Sequence, residues 1–183
     1  MHTGDGEEVS VVRTLGCCAI FMAKVILIAD DDENDLVATS QTLRDAGVKS
    51  LLMSVSDGED VIAYFKGDNQ YADREKYPIP DVLLLDLKMR RTGGFQVLEW
   101  LKKHAKTDST IVIVLSAHGE LENVRNAYAL GARSFLTKPC HLEDVRNLIE
   151  VYPTYWEVDT PKKSITNPGN DYASGQTFAD PSP

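Results

Sequence analysis

The chain has 183 residues, 43% of them hydrophobic, and a formal net charge of −9. That length suits one domain plus tails, the hydrophobic share is ordinary for a globular core, and the acidic balance argues against the basic surface of a nucleic-acid binder. Cys17, Cys18 and Cys140 form neither a CxxC pair nor a zinc spacing, so free thiols in a reducing cytoplasm are expected.

The apolar segment Leu15 to Met22 is too short to span a bilayer. Asp5, Glu7 and Glu8 stand where a secretory signal needs basic residues. Residues 1–22 are therefore expected to be a disordered extension, or to precede a true start at Met22. Val25-Ile26-Leu27-Ile28-Ala29 then reads as a parallel strand buried on both faces, and it runs into Asp30, Asp31 and Asp32. Asn34 to Ala46 has Leu36, Val37, Ser40 and Leu43 on one helical face, with Gly47 placed to end it. Leu51 to Val55 is a second strand, Ser56-Asp57-Gly58 a turn, and Val61, Ile62 and Phe65 mark a short helix. Lys66 to Pro80 reads as a long polar connection.

Val82-Leu83-Leu84-Leu85 forms the third strand and runs into Asp86; a helix carrying Phe95, Leu98 and Leu101 follows Thr92-Gly93-Gly94. Ile111 to Leu115 forms the fourth and runs into Ser116, followed by a helix with Leu121, Val124, Tyr128 and Leu130. Ser134-Phe135-Leu136-Thr137 forms the fifth and runs into Lys138-Pro139, ahead of a helix with Leu142, Val145, Leu148, Ile149 and Tyr152. Beyond Trp156 the composition is that of a disordered tail, 157–183, too short and too polar to fold a DNA-binding or enzymatic module.

Five β-then-α units imply an α/β fold, a doubly wound parallel sheet between helices. Ligands of such sheets bind outside the carboxyl ends of the strands, so three acids, a hydroxyl and an amine would meet on one rim. No dinucleotide or P-loop glycine pattern and no nucleophile elbow is present. Asp30, Asp31 and Asp86 would repel one another unless a cation neutralised them, and hard oxygen donors suit Mg²⁺. A carboxylate can attack phosphorus, while an ammonium and a hydroxyl stabilise the phosphoryl oxygens. Lys138 and Ser116 fit those roles. Each residue alone has a plainer reading: an acidic helix start, a strand-end cap, a turn hydroxyl, a solvated amine, and core packing for Phe135. Their joint placement at four strand ends points to chemistry.

On Asp30-Asp31, Asp86, Ser116-Ala117 and Lys138-Pro139, the chain resembles the receiver domains of two-component response regulators over roughly residues 23–156. It further resembles the stand-alone regulators associated with phytochrome-type kinases, through the long connection before the third strand and Tyr155-Trp156 after the last helix. The resemblance implies a flavodoxin-like (βα)5 fold with strand order 2-1-3-4-5. It implies Asp86 as phosphoacceptor, with Asp30, Asp31, Asp86 and the Lys88 backbone carbonyl around Mg²⁺ or Mn²⁺. It also implies a histidine kinase as partner, a cis Lys138-Pro139 bond, Ser116 and Ala117 at the phosphoryl group, and Phe135 as a switch that turns inward. Lys88 and His118 occupy the positions that flank the hydrolytic water. Lys88 has no acceptor atom to orient it, so slow self-dephosphorylation is expected. The familiar Met-Pro-x-Met-Asp-Gly is replaced by Met89-Arg90-Arg91-Thr92-Gly93-Gly94, which predicts a less rigid loop.

Two rival classes are disfavoured. A haloacid-dehalogenase-type phosphatase needs a second aspartate two residues after the nucleophile, where this chain has Lys88. A protein-binding module that is never phosphorylated would have lost an acid or the lysine, and none is lost. The expected function is a single-domain response regulator rather than a turnover enzyme. The protein would signal through an altered binding face or, alternatively, pass phosphate to a histidine phosphotransfer protein. No nucleic acid or membrane partner is expected. Tyr152, Tyr155 and Trp156 read as an uncovered aromatic patch, which predicts homodimerisation through residues 120–156.

Overall fold

The apolar runs become a five-stranded parallel sheet in the computed structural model, which describes residues 23–104, 109–117 and 121–159. The strands are β1 (Val25–Ala29), β2 (Leu51–Val55), β3 (Val82–Asp86), β4 (Ile111–Ser116) and β5 (Ser134–Thr137). They alternate with α1 (Glu33–Asp45), α2 (Gly58–Lys66), α3 (Gly94–Lys102), α4 (Leu121–Ala129) and α5 (Leu142–Val151). The strand order is β2-β1-β3-β4-β5, so the chain reverses direction across the sheet between β1 and β3. Among the described residues no helix is long and apolar enough to cross a membrane.

Side-chain alternation along the strands divides the core between two faces. Leu27, Leu83, Leu85, Val112 and Val114 pack with Val61, Phe65, Val97 and Leu98 of α2 and α3. Ile26, Ile28, Leu84, Ile113 and Leu115 pack with Leu43, Val145 and Leu148 of α1 and α5. The central strands β1, β3 and β4 are buried throughout, as continuous apolar runs require. The edge strands are not. In β5, Leu136 turns into the core, whereas Phe135 is 40% exposed, which corrects its reading as core packing. A strand with a neighbour on one side only leaves part of one face to solvent.

Helix α1 needs a second correction. Its buried face runs through Leu36, Thr39 and Leu43, and Val37 points outward at 69% exposure. One residue is about 100° of helix, enough to carry Val37 off the buried stripe. The segment from Lys66 to Pro80 is less polar in place than in composition. Tyr71 is buried, its ring lies 5.1 Å from that of Tyr64 and 5.2 Å from that of Tyr77, and the Arg74 guanidinium donates to the carbonyls of Tyr64, Phe65 and Tyr77.

The C-terminal segment overturns the uncovered aromatic patch. Trp156 is only 5% exposed and joins the core with Leu43, Val48 and Leu148, while the Tyr152 hydroxyl donates to the Arg133 carbonyl at 3.0 Å. The chain then runs back against the turn between α1 and β2. Val158 pairs antiparallel with Val48, and Lys49 N–H donates to the Glu157 carbonyl. Residues 157–159, placed in the tail by composition, are therefore held by backbone pairing. Residues 1–22 and 160–183 lie outside the described residues.

Candidate functional site

Parallel register brings the strand ends to one rim. Ala29 aligns with Leu85, Asp86 with Leu115, and Ser116 with Thr137, so the next residues of each chain segment meet. Carboxylate oxygens of Asp30, Asp31 and Asp86 all lie within 4.8 Å of one another. Asp30 is fully buried; its Oδ1 accepts the Asp32 N–H at 3.1 Å, and its own N–H donates to the Val55 carbonyl. The neighbouring Asp32 has a different task. Its Oδ1 accepts the Asn34 N–H at 2.8 Å, capping α1, and that hydrogen bond holds its carboxyl below the usual range.

Asp86 is 6% exposed at the end of β3. Its Oδ1 accepts the Lys88 N–H at 3.1 Å, a local turn at the strand end, and its Oδ2 accepts from Lys138 Nζ at 2.8 Å. The Lys138 ammonium also lies 2.6 Å from Asp30 Oδ2 and 3.0 Å from Asp35 Oδ2. Burial alone would lower the Lys138 pKa, but hydrogen bonds to Asp30, Asp86 and Asp35 outweigh it, so the pKa is raised and the group stays cationic at neutral pH. Burial raises the Asp30 pKa, and Lys138 offsets only part of that. The buried Asp30 and Asp86 share the one ammonium of Lys138, and with Asp31 beside them the three carboxylates match the hard-oxygen donor set of Mg²⁺ or Mn²⁺. The residues fit a divalent cation.

Ser116 is buried at the end of β4, and its hydroxyl donates to the Ala117 carbonyl at 3.3 Å. Lys138 N–H donates to the Ser116 carbonyl, which joins the two strand ends, and the Lys138–Pro139 peptide is cis as the resemblance implies. Ala117 and Lys88 are exposed beside the rim, and Phe135 faces solvent further along β5. His118 lies outside the described residues.

Three residues of the site went unread in the sequence. Asp35 holds Lys138 from the first turn of α1; its one legible sign was an acid one helical turn past Asp31. Arg90 Nε donates to Asp31 Oδ2 at 2.9 Å, and Arg91 Nε donates to the buried Asp57 at 2.7 Å. Asp57 also caps α2 by accepting the Glu59 N–H, and Gly58 N–H donates to the Thr92 carbonyl. A Cβ on Gly58 would press into that carbonyl, so glycine is what lets α2 approach the loop. The loop that lacks the usual proline is thus fastened to the start of α2. On the other side, Gln96 accepts the Gly93 N–H at 2.7 Å, and a Cβ on Gly94 would strike the Asp86 carbonyl. The first contact caps α3, and the close approach at Gly94 seats the start of α3 against the end of β3.

The response regulator receiver domain model matches residues 26–150. Response regulator Rcp1 of Synechocystis sp. is 26% identical over 133 residues, covering 73% of this chain and 88% of that protein. Its Mn²⁺-bound form superposes with a TM-score of 0.59 over 72% of this chain and 93% of the other. Response regulator RPA3017, in red light signaling of R. palustris, is 30% identical with a TM-score of 0.65 over 75% of this chain and 99% of the other. The bacteriophytochrome response regulator RtBRR is 28% identical with a TM-score of 0.67, covering 75% and 82% of the two chains. A parallel sheet with its acids, hydroxyl and lysine at the strand ends, and a family model matched across nearly all of that sheet, lead to one conclusion: the chain belongs to the response regulator receiver domain family.

Proposed function

We propose that the protein accepts a phosphoryl group on Asp86 from a histidine kinase, in a reaction that needs a divalent cation, and signals by changing its protein-binding face. The observation that carries this reading is the Lys138 ammonium held 2.8 Å from Asp86 Oδ2 beside a cluster of three carboxylates. Asp30, Asp31, Asp86 and the Lys88 carbonyl would hold Mg²⁺ or Mn²⁺. When bound, the cation offsets carboxylate repulsion and draws charge from the phosphoryl oxygens. An oxygen of Asp86 attacks phosphorus while the bond from phosphorus to the donor histidine breaks, and that nitrogen recovers a lone pair. Lys138 then pairs with a phosphoryl oxygen. Ser116 turns from the Ala117 carbonyl to donate to another, the Ala117 N–H adds a further donor, and Phe135 turns inward into the space left. Lys88, which has no acceptor atom to orient a water, keeps self-dephosphorylation slow. The receiver unit is taken as residues 23–156, with 157–159 tied to it by the pairing of Val158 with Val48.

The similarity to RPA3017 and RtBRR supports a phytochrome-type kinase as the donor. The test is incubation with acetyl phosphate, with and without Mg²⁺, followed by intact-mass measurement. A gain of one phosphoryl group only with the cation is expected; no gain under either condition overturns the reading.

Lys138→Ala should still be labelled but lose the conformational response, because the cation that senses the new charge is gone. Fluorescence and amide spectra recorded before and after labelling test this, and wild-type shifts in the mutant would refute it. Homodimerisation through residues 120–156 now rests on Tyr128, Phe135 and Val151, exposed around α4, β5 and α5, and not on Trp156. A groove of about 330 Å³ runs between β5 and α5 beside Phe135 and Val151. Val151→Asp should weaken the dimer in sedimentation, and a wild-type protein that is monomeric at every concentration would remove the proposal.

A further inference from the structure

The mechanism leaves Arg90 without a task, although it touches the site. The three clustered carboxylates are compensated by two different cations. Lys138 serves Asp30 and Asp86 from a side chain 15% exposed and gripped by three carboxylates. Arg90 serves Asp31 through one contact of 2.9 Å from a side chain 82% exposed. A divalent cation drawn to the same carboxylates competes with the positive charge already on them, and Arg90 is the partner with least to lose on leaving. The next residue is held more firmly. Arg91, itself 67% exposed, grips an Asp57 side chain that is 3% exposed, against 19% for Asp31, and the Gly58–Thr92 backbone bond holds the same stretch of loop. The loop therefore has a fixed anchor at 91–92 and an exchangeable contact at 90.

We propose that Arg90 is a tethered, displaceable counter-ion that competes with the divalent cation for Asp31, so that it sets the cation affinity of the site and couples cation arrival to release of the phosphoacceptor loop at that residue. This rests on the reading of Asp31 as a cation ligand. While Arg90 holds Asp31, the carboxylate is kept aimed at the rim and shielded from its neighbours, which gives the cation-free protein a settled site.

Two measurements on the full chain test the inference. In calorimetric titration with Mn²⁺, Arg90→Ala should bind about two- to fivefold more tightly than wild type, the range expected for losing one exposed competing ion pair. The difference should shrink as salt screens the pair. In NMR, the Arg90 Nε–H signal of the wild type should move as Mg²⁺ is added, because its carboxylate acceptor is taken away. Unchanged or weaker Mn²⁺ binding by Arg90→Ala, or an Nε–H signal that stays in place at saturating Mg²⁺, overturns the proposal. Asp31→Asn separates the two levels. If it loses Mn²⁺ while Arg90→Ala matches wild type, the arginine inference alone falls. If it keeps wild-type affinity, the ligand reading falls and takes the inference with it.

Discussion

Asp86→Asn should abolish labelling by acetyl phosphate in the presence of Mg²⁺, with no residual acceptor. The amide has no anionic oxygen to attack phosphorus, so the bond to acetate has nothing to displace it. The substitution is close to isosteric, and the amide oxygen can still accept from Lys138 or from the Lys88 N–H, the two donors that Asp86 now engages. Loss of labelling with retained fold is then a chemical effect. The other two acids are poor substitutes. Asp30 is buried, with Oδ1 bonded to the Asp32 N–H and its pKa raised by burial, and Asp31 would be engaged as a ligand of the cation. Asp31→Ala should keep Asp86 as acceptor but demand far more Mg²⁺. Peptide mass mapping after labelling checks the site, and a phosphoryl group on any other residue of Asp86→Asn would refute the assignment.

Trp156→Ala should destabilise the protein by about 3–5 kcal/mol, the usual loss for removing a large buried aromatic ring. Trp156 lies in the core beside Leu43, Val48 and Leu148, and it pins the returning segment whose Val158 pairs with Val48. Its indole Nε1 is buried without a hydrogen-bond partner among the described residues, so Trp156→Phe should cost much less: the ring face is kept and an unsatisfied donor is removed. Urea titration followed by far-UV circular dichroism measures both. An alanine variant within about 0.5 kcal/mol of wild type is what a surface residue would give, and it would refute the packing described here. Truncation after Tyr152 should resemble the alanine variant, because it removes the same ring and the strand-like return.

The contrast between Trp156 and Asp86 explains where the sequence was readable. Asp86 stands at the end of a run of buried leucines, and a charged side chain there has few bland explanations, so its position was legible from a handful of neighbours. Trp156 follows a helix whose pattern stops at Tyr152, and nothing local says whether the chain beyond turns inward or away. Its cover comes from Val48, in the turn after α1. Composition likewise described Lys66 to Pro80 correctly as polar in bulk and missed that Tyr71 enters the core and that Arg74 ties three carbonyls together.

The α/β alternation, the strand limits, and the acids, hydroxyl and lysine at the strand ends were set by local pattern: apolar runs of strand length, helix periodicity and the residue at each terminus. The order 2-1-3-4-5 came by resemblance and is the order observed. Tertiary structure decided the rest. It chose Leu36 over Val37 for the inward face of α1, sent Phe135 to solvent at an edge strand, covered Trp156, and gave Asp31 to Arg90 and Asp57 to Arg91. The physical reason is range. Strand and helix formation follow from residues a few positions apart, whereas an ion pair such as Arg90 with Asp31 joins side chains 59 positions apart. Its strength depends on distance and burial, which exist only once the sheet has brought the loops together.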